Sequence, residues 1–173
     1  MPGQKGRRSP QRPSCEAGCE VALSVSKTSQ LPRPGVYRSE ELRLEDILTQ
    51  LNTTYSSGRS GALALFLGIA RAESKTGREV DYLVIEAYED NANAEIERIC
   101  KEVKEAHGVD FVGIWHLEGT FRPGEPVVLV AVTGPHRDRV FKALRESVER
   151  YKREPAIFKK EVFKGGGGWW VSE

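Results

Sequence analysis

Residues 126–161 read PVVLVAVTGPHRDRVFKALRESVERYKREPAIFKKE, and this stretch decides the fold. Its first nine residues are almost entirely apolar and rich in valine, which predicts a buried strand. Pro135 then opens a helix, because proline suits the first helical position. The apolar face of that helix carries Val140, Leu144, Val148 and Tyr151. After Pro155 the chain is expected to become extended again, so a strand, a helix and a second extended segment follow one another directly.

The same stretch places positive charge at both ends of the predicted helix. His136 and Arg137 stand at its beginning, and Lys152 and Lys159 follow its end. The first turn of a helix has free backbone N–H groups and the positive end of the helix dipole, so it attracts anions. Cationic side chains in that turn are favourable when something negative binds there. The pattern therefore predicts an anion site, and phosphate is the expected anion.

Three further apolar runs predict strands. GALALFLGIAR (residues 61–71) is apolar on both alternating faces, which predicts a central strand buried on both sides. VDYLVIEAY (80–88) predicts a second strand, and the two suggest a hairpin with a long basic connection. VDFVGIWHL (109–117) is expected to join the strand at 126–134 through a turn at residues 122–125.

Helical periodicity predicts two earlier helices. A short helix is expected from Ser39, and a longer one spans residues 91–107 and ends at Gly108. Cys100 lies on the apolar face of the longer helix, so a buried structural thiol is favoured over a nucleophile. Helices and strands alternate irregularly. We therefore predict an α+β sandwich with mostly antiparallel strands and two to three packed helices.

Composition and charge limit the class of protein. The chain has 173 residues, of which 39% are hydrophobic, so it fits one domain with an extension. Its net charge is +1, but residues 1–35 contain six basic and two acidic residues, a net +4, which leaves −3 for the remainder. A net acidic body argues against nucleic-acid binding.

Residues 1–35 are rich in Pro, Gly, Ser and Arg and lack periodicity, so we predict a disordered basic tail before a domain at residues 36–173. A transit peptide is the alternative, although the prolines oppose an amphipathic helix. Cys15 and Cys19 are expected to be unpaired thiols. Three cysteines in all indicate a reducing compartment, with neither a disulfide framework nor a metal site.

Hydropathy predicts no contact with a membrane. The sequence contains no apolar run of about 18 residues, the length that a membrane span needs. The N-terminus also lacks the apolar centre of a secretory signal. We therefore expect a cytoplasmic protein.

Four stretches occur in an order and spacing that is typical of one family. They are FLGIAR (66–71), EAYEDNANAEI (86–96), WHLEGTFRPGEPVVLVAVTGPHRDRVFKA (115–143) and YKREPAIFKKE (151–161). In this combination the chain resembles the MoaE family, the large catalytic subunit of molybdopterin synthase. The most specific feature is the His-Arg helix start followed by K-x6-K-x-E. The resemblance covers about residues 36–171 and implies a MoaE-like α/β-hammerhead fold.

The resemblance implies a sulfurtransferase of molybdenum cofactor biosynthesis. MoaE-like proteins convert precursor Z, a cyclic pyranopterin monophosphate, into molybdopterin by installing the dithiolene sulfurs. Sulfur arrives as a thiocarboxylate on the C-terminal Gly-Gly of a small ubiquitin-like subunit, MoaD. The family assembly is a heterotetramer built on a central MoaE dimer. The implied partners are therefore a MoaD-like subunit and a second copy of the chain, with no cofactor and no metal.

The resemblance also implies roles for individual residues. Lys152 would polarise the thiocarboxylate carbonyl, and Lys159 would hold the substrate and stabilise negative charge. The phosphate would be bound by His136 and Arg137, either of the same subunit or of its neighbour in the dimer. The implied substrate-binding residues are Ile69, Ala70, Arg71, His136, Arg137, Lys152, Lys159, Lys160 and Glu161.

The chemistry of the residues agrees with this interpretation. A cyclic phosphate and a thiocarboxylate are both anions, and Arg, Lys and His supply the positive charge that such ligands need. No cysteine lies in the motif region, so the sulfur must come from another molecule. The alternative function is a non-catalytic scaffold that binds a ubiquitin-like sulfur carrier. The joint presence of all these cations favours the enzyme.

Three aromatic residues are expected to be structural. His116 alternates with apolar neighbours on a strand, so we expect it at the edge of the core and not in catalysis. Trp169 and Trp170 follow four glycines and are expected to close the core, since large aromatic side chains are mostly buried. A mobile flap is the alternative for this pair.

Overall fold

A single sheet forms the centre of the computed structural model, which describes residues 31–51 and 58–171. The elements are β1 (Gly35–Arg38), α1 (Leu44–Gln50), β2 (Ala62–Ile69), β3 (Val80–Ala87), α2 (Glu89–His107), β4 (Phe111–Phe121), β5 (Pro126–Gly134), α3 (Arg137–Tyr151), β6 (Ile157–Phe163) and β7 (Gly168–Val171). Most of the predicted basic tail, including Cys15 and Cys19, lies outside the described residues.

The strand order is β2-β5-β4-β3-β6-β7, and β1 pairs in parallel with β4. All other pairings between these strands are antiparallel. The 11-residue β4 joins the two halves of the sheet, because it pairs with β5 along its first part and with β3 near its end. The predicted α+β class with mostly antiparallel strands is confirmed. The four-residue β1 was not predicted, since it is too short to show alternation.

Helices α2 and α3 pack on each other and on one face of the sheet. The core contains the apolar face of α2, together with most of β4 and β5. Cys100 is buried there at 8% exposure, as predicted. Burial raises the pKa of its thiol to about 12, so it stays protonated and is not a nucleophile. No helix in the described ranges is both long enough and apolar enough to cross a membrane.

The predicted position of β2 is wrong. It lies at one end of the sheet and pairs with β5, so the predicted hairpin between β2 and β3 does not form. Ala64 and Phe66 face the core, whereas a row of large apolar side chains on the other face is exposed. That row is Leu63, Leu65, Leu67 and Ile69. An apolar run indicates that both faces of a strand can be buried. It does not indicate whether the same chain or another molecule covers them.

The expectation that Trp169 and Trp170 close the core is also wrong. They lie on β7, at the other end of the sheet, with 73% and 49% of their surfaces exposed. Successive side chains of a strand point to opposite faces, and in the described chain no other element buries either face of this edge strand fully. Lys160 on β6 lies over the ring of Trp170, 5.7 Å from its centroid.

Trp115 holds the segment that precedes β1 against the sheet. Its side chain is fully buried on β4, and its indole Nε1 donates a hydrogen bond of 3.0 Å to the carbonyl of Pro32. The ring also lies close to Gly113: a Cβ atom there would be 2.4 Å from Trp115 Cη2. The sheet therefore accepts this indole only because residue 113 has no side chain.

This packing predicts the effect of a single methyl group. Gly113→Ala should lower the free energy of unfolding by about 1–3 kcal/mol, because overpacking forces the indole or the strand to move. Urea unfolding measures the loss. In a Trp115→Leu background the same substitution should cost less, since the nearer of two clashing rings is gone and the contact with Phe111 Cζ, 2.8 Å from the added Cβ, remains. Equal costs in both backgrounds would contradict this explanation.

Candidate active site

A cavity of about 580 Å³ opens where the end of β2, the end of α3 and the strand β6 meet. Its wall contains the apolar side chains Phe66, Val128 and Leu83. The charged residues of the wall are Arg71, Lys75, Glu149, Lys152, Arg153, Lys159 and Glu161. Five of these side chains are positive and two are negative, so the cavity is suited to an anionic ligand.

The turn between β4 and β5 positions the end of β2. The backbone N–H of Ala70 donates to the carbonyl of Glu125 at 2.9 Å, and the N–H of Gly124 donates to the carbonyl of Ala70 at 2.8 Å. Ala70 is buried, whereas Arg71 is exposed and lines the cavity. The predicted segment from Ile69 to Arg71 is thus held on a rigid turn, with its cationic side chain at the cavity.

An ion-pair network fixes the end of α3, where Lys152 is the C-cap residue. Arg150 contacts Glu102 of α2 at 2.6 Å and Glu154 at 2.8 Å, and Arg98 of α2 also contacts Glu154 at 2.8 Å. Hydrogen bonds from Arg150 lower the pKa of Glu102 and of Glu154. The network ties the segment that carries Lys152 to the neighbouring helix.

A second anchor holds the chain between α3 and β6. The N–H of Ala156 donates to Asn91 Oδ1 at 3.2 Å, and the N–H of Tyr88 donates to the carbonyl of Ala156 at 3.0 Å. Pairing of β6 with β3 then sets Lys159 opposite Ile85. Two adjacent elements therefore present Lys152 and Lys159 to the same space.

Strand alternation divides the predicted residues of β6. Lys159 and Glu161 line the cavity, whereas Lys160 points to the opposite face, where it meets Trp170. The cavity therefore brings together six of the predicted site residues. They are Ile69, Ala70, Arg71, Lys152, Lys159 and Glu161.

His136 and Arg137 do not line this cavity. His136 is the N-cap of α3 and Arg137 its first residue, so the helix begins two residues after the predicted start at Pro135; the side chains of His136 and Arg137 are both exposed. The 15 residues of α3 separate them from Lys152. At the usual rise per residue, this helix is roughly 22 Å long. One chain therefore cannot place both ends of α3 on the same small ligand.

A smaller cavity of about 290 Å³ adjoins the first and shares Tyr151, Lys152, Arg153, Lys159 and Val171 with it. His116 also lines it and is fully buried. Burial, together with the charge of Lys159, lowers the pKa of His116 to about 3, so its ring is neutral at neutral pH.

The sequence did not indicate that His116, Tyr151, Glu149 and Arg153 line this site. His116 and Tyr151 sit in apolar patterns that are indistinguishable from those of core residues. Glu149 and Arg153 form an i,i+4 ion pair of 3.3 Å at the end of α3. That spacing is visible in the sequence, but it is equally typical of a solvated helix surface.

Comparison with known proteins decides the family. The model of the MoaE protein family matches residues 37–154. The chain belongs to the MoaE family. The molybdopterin synthase catalytic subunit of Pyrococcus abyssi is 33% identical over 147 residues, which cover 85% of this chain and 93% of that protein. The subunit of the same name from Culex quinquefasciatus is 34% identical over 121 residues, covering 69% of this chain and 76% of that protein.

Solved structures agree with this membership. The crystal structure of molybdopterin synthase from Staphylococcus aureus has a TM-score of 0.69 and 26% identity, and covers 83% of this chain and 100% of that one. A complex of subunits 1 and 2 of the molybdopterin-converting factor from Helicobacter pylori has a TM-score of 0.64 over 83% of this chain and 90% of that one. At 20% identity, that second likeness shows the MoaE fold alone.

The MoaE-like site contains no evident metal centre in the described ranges, where no three His, Cys, Asp or Glu side chains cluster suitably. The side chains that line the two cavities include several cations and one neutral imidazole. Such a set can bind anions and stabilise negative charge that develops during acyl transfer.

The network at the end of α3 predicts how acid affects stability. The pKa values of Glu102 and Glu154 are lowered from their ordinary value of 4.5 in the folded protein. The two ion-paired carboxylates therefore stabilise the fold at pH values above 4.5, and this stabilisation is lost as the pH falls from 4.5 through the lowered pKa values. Arg150→Met should therefore make stability fall less steeply below that pH. Urea unfolding between about pH 5.5 and about pH 3.5 measures the slope.

The exposed Arg145 of the same helix provides the matched control. Arg145→Met should leave the acid dependence of the wild-type protein unchanged. If both variants have the wild-type slope, the Arg150 network does not stabilise the end of α3.

Proposed function

We propose that this chain is the catalytic subunit of a molybdopterin synthase and transfers sulfur from a carrier thiocarboxylate to precursor Z. The observation that carries the proposal is the convergence of Arg71, Lys152 and Lys159 on one cavity. Both proposed substrates are anions, and the described chain offers no exposed thiol to carry the sulfur itself. We place the reaction in the cytoplasm, where a reduced Cys100 is expected.

The carrier is proposed to be a MoaD-like ubiquitin-fold subunit that ends in Gly-Gly. Its thiocarboxylate sulfur bonds to a side-chain carbon of the pterin, where a C–O bond breaks and the oxygen leaves as water once it is protonated. A second water then cleaves the acyl–sulfur bond. The sulfur stays on the pterin, and the carrier leaves with a C-terminal carboxylate. Lys152 polarises the acyl carbonyl and stabilises the negative charge that forms on its oxygen when water attacks.

Lys159 is proposed to hold the pterin substrate from the opposite wall, with Glu161 beside it as a further substrate contact. Arg71 and the backbone of Ile69 and Ala70 line the pterin side. Lys160, predicted as a substrate contact, is left out of this proposal, because it lines neither cavity and its side chain lies over the ring of Trp170.

The phosphate is proposed to be bound by His136 and Arg137 of a second copy of the chain. The exposed apolar row of β2 supports a dimer, because contiguous exposed apolar side chains mark a surface that packs against another protein. If the two β2 strands run antiparallel across a twofold axis, the Ala62 end of one copy lies beside the Ile69 end of the other. Gly61 donates a backbone hydrogen bond to Gly134, so His136 follows close behind that end.

Lys152→Ala is expected to reduce the rate of molybdopterin formation at least about 100-fold, because loss of one group that stabilises an oxyanion has that effect. Thiocarboxylated carrier and precursor Z are mixed with the enzyme, and molybdopterin is assayed. Folding and carrier binding should be retained, since Lys152 is exposed and outside the core. Full turnover by this variant would refute its role.

Lys101→Ala is the matched control, because Lys101 is an exposed lysine on α2 that does not line either cavity. It should turn over at the wild-type rate. If the wild-type protein binds the carrier but makes no molybdopterin, the alternative of a non-catalytic scaffold is correct.

A mixing experiment tests whether the site is shared between two subunits. Lys152→Ala and His136→Ala chains should each be inactive. A mixed dimer should regain one complete site. In that site, His136 comes from the Lys152→Ala chain and Lys152 comes from the His136→Ala chain. Unfolding and refolding the two variants together should restore up to about a quarter of wild-type activity by random pairing. No recovery would place both residues in the same subunit's site.

A further inference from the structure

The smaller cavity contains a polar atom that the mechanism above does not use. His116 of β4 is one of the residues that line this cavity, as are Lys152 and Lys159, and its side chain has no exposed surface. Its ring meets that of Tyr151 edge-on, with centroids 6.0 Å apart. This packing fixes the plane of the imidazole.

The hydrogen bonds of the ring determine its tautomer. Nδ1 lies 2.9 Å from the carbonyl oxygen of Leu117, which can only accept. Nδ1 is therefore assigned the hydrogen, and Nε2 carries a lone pair. Among the described residues, Nε2 has no hydrogen-bond partner. A buried acceptor without a partner is costly, so such atoms commonly serve a ligand.

The surroundings of Nε2 keep it an acceptor. Burial and the positive charge of Lys159 oppose a further proton on the ring, and Lys152 and Arg153 line the same cavity. The remaining wall is largely apolar and includes Pro155 and Phe158. A ligand that fits must therefore combine a hydrogen-bond donor for His116 with negative charge for the lysines.

We propose that His116 Nε2 accepts a hydrogen bond from the backbone N–H of the carrier's terminal glycine, and so positions the thiocarboxylate between Lys152 and Lys159. The inference rests on the proposed function and adds a specificity residue to it. A C-terminal glycine thiocarboxylate has an amide N–H and a negative acyl group within one residue, and it has no side chain to clash with the apolar wall.

The two adjoining cavities then correspond to the two substrates. The larger one contains Arg71 and Lys75 in addition to the shared lysines, and is suited to the phosphorylated pterin. A phosphate diester offers no donor to Nε2, since its oxygens only accept. Lys152 and Lys159 lie in the wall that both cavities share, which is where sulfur must pass from one substrate to the other.

The test compares His116→Leu with His116→Gln in the full-length protein. The probes are the ubiquitin-like subunit with its unreactive Gly-Gly carboxylate and, separately, precursor Z. His116→Leu should weaken binding of the carrier about three- to tenfold, which corresponds to one lost hydrogen bond. His116→Gln should retain most of the affinity, because its amide oxygen can accept in place of Nε2. Affinity for precursor Z should not change in either variant.

Thr133→Val is the matched control. Thr133 is also fully buried, and its Oγ1 also has no partner among the described residues, but it lies outside both cavities. Valine has the same shape, so carrier binding should stay at the wild-type level. A loss equal to that of His116→Leu would show a structural effect and would overturn the proposal.

If His116→Leu does not fold, the wild-type protein still tests the proposal by ¹⁵N NMR of the histidine ring. The Nε2 resonance should move when the carrier binds, as for an acceptor that gains a hydrogen bond, and should not move with precursor Z. A shift with the pterin alone would assign Nε2 to that substrate. If His116→Leu binds the carrier as tightly as the wild-type protein does, this inference is refuted. The proposed function still stands in that case, provided that the wild-type protein forms molybdopterin.

Discussion

Repulsion between like charges is the constraint on which the site depends. Arg71, Lys75, Lys152, Arg153 and Lys159 border one cavity, and only two carboxylates share its wall. Such a cluster stays together only if the elements that carry it are held rigidly. The pairing of β6 with β3 and the ion pairs of Arg150 supply that rigidity. A bound anion reduces the repulsion between these cations, so the positive charge of the cavity favours binding of anionic substrates.

The geometry of α3 explains why a second subunit enters the proposal. A straight helix of 15 residues keeps its two ends apart, and the anion-binding residues flank opposite ends. The uncovered apolar face of β2 offers a surface on which another copy can pack. Under the proposed function, the length of α3 calls for a second subunit at the site, and the apolar face of β2 is the surface proposed to bind it.

His116 shows how a residue can be structural and functional at once. Its Nδ1 is used within the strand by Leu117, and its ring packs against Tyr151 as a core residue does. Nε2 is the ring nitrogen that has no hydrogen-bond partner among the described residues. Burial keeps this nitrogen neutral beside several cations, which makes it the acceptor in a site that otherwise consists mainly of donors.

Local patterns predicted much of the fold. Apolar periodicity located α2, α3 and the four longer predicted strands, and the turn at residues 122–125 joined β4 to β5 as expected. The buried state of Cys100 also followed from its place on the helix face. The pairing of β2 and the exposure of Trp169 were predicted wrongly, because each depends on which layers cover the strand, and distant parts of the chain decide that.

By itself, the sequence determined the class of fold, because spacing along helices and strands is a local property. Its resemblance to one family singled out Arg71, Lys152 and Lys159, three of the five cations that line the cavity. The tertiary structure decided that Lys159 and Glu161 face the cavity while Lys160 does not, and that His136 lies a helix length away from Lys152. It also turned His116 towards the lysines. Those outcomes depend on contacts between residues that are far apart in the chain, which no local pattern records.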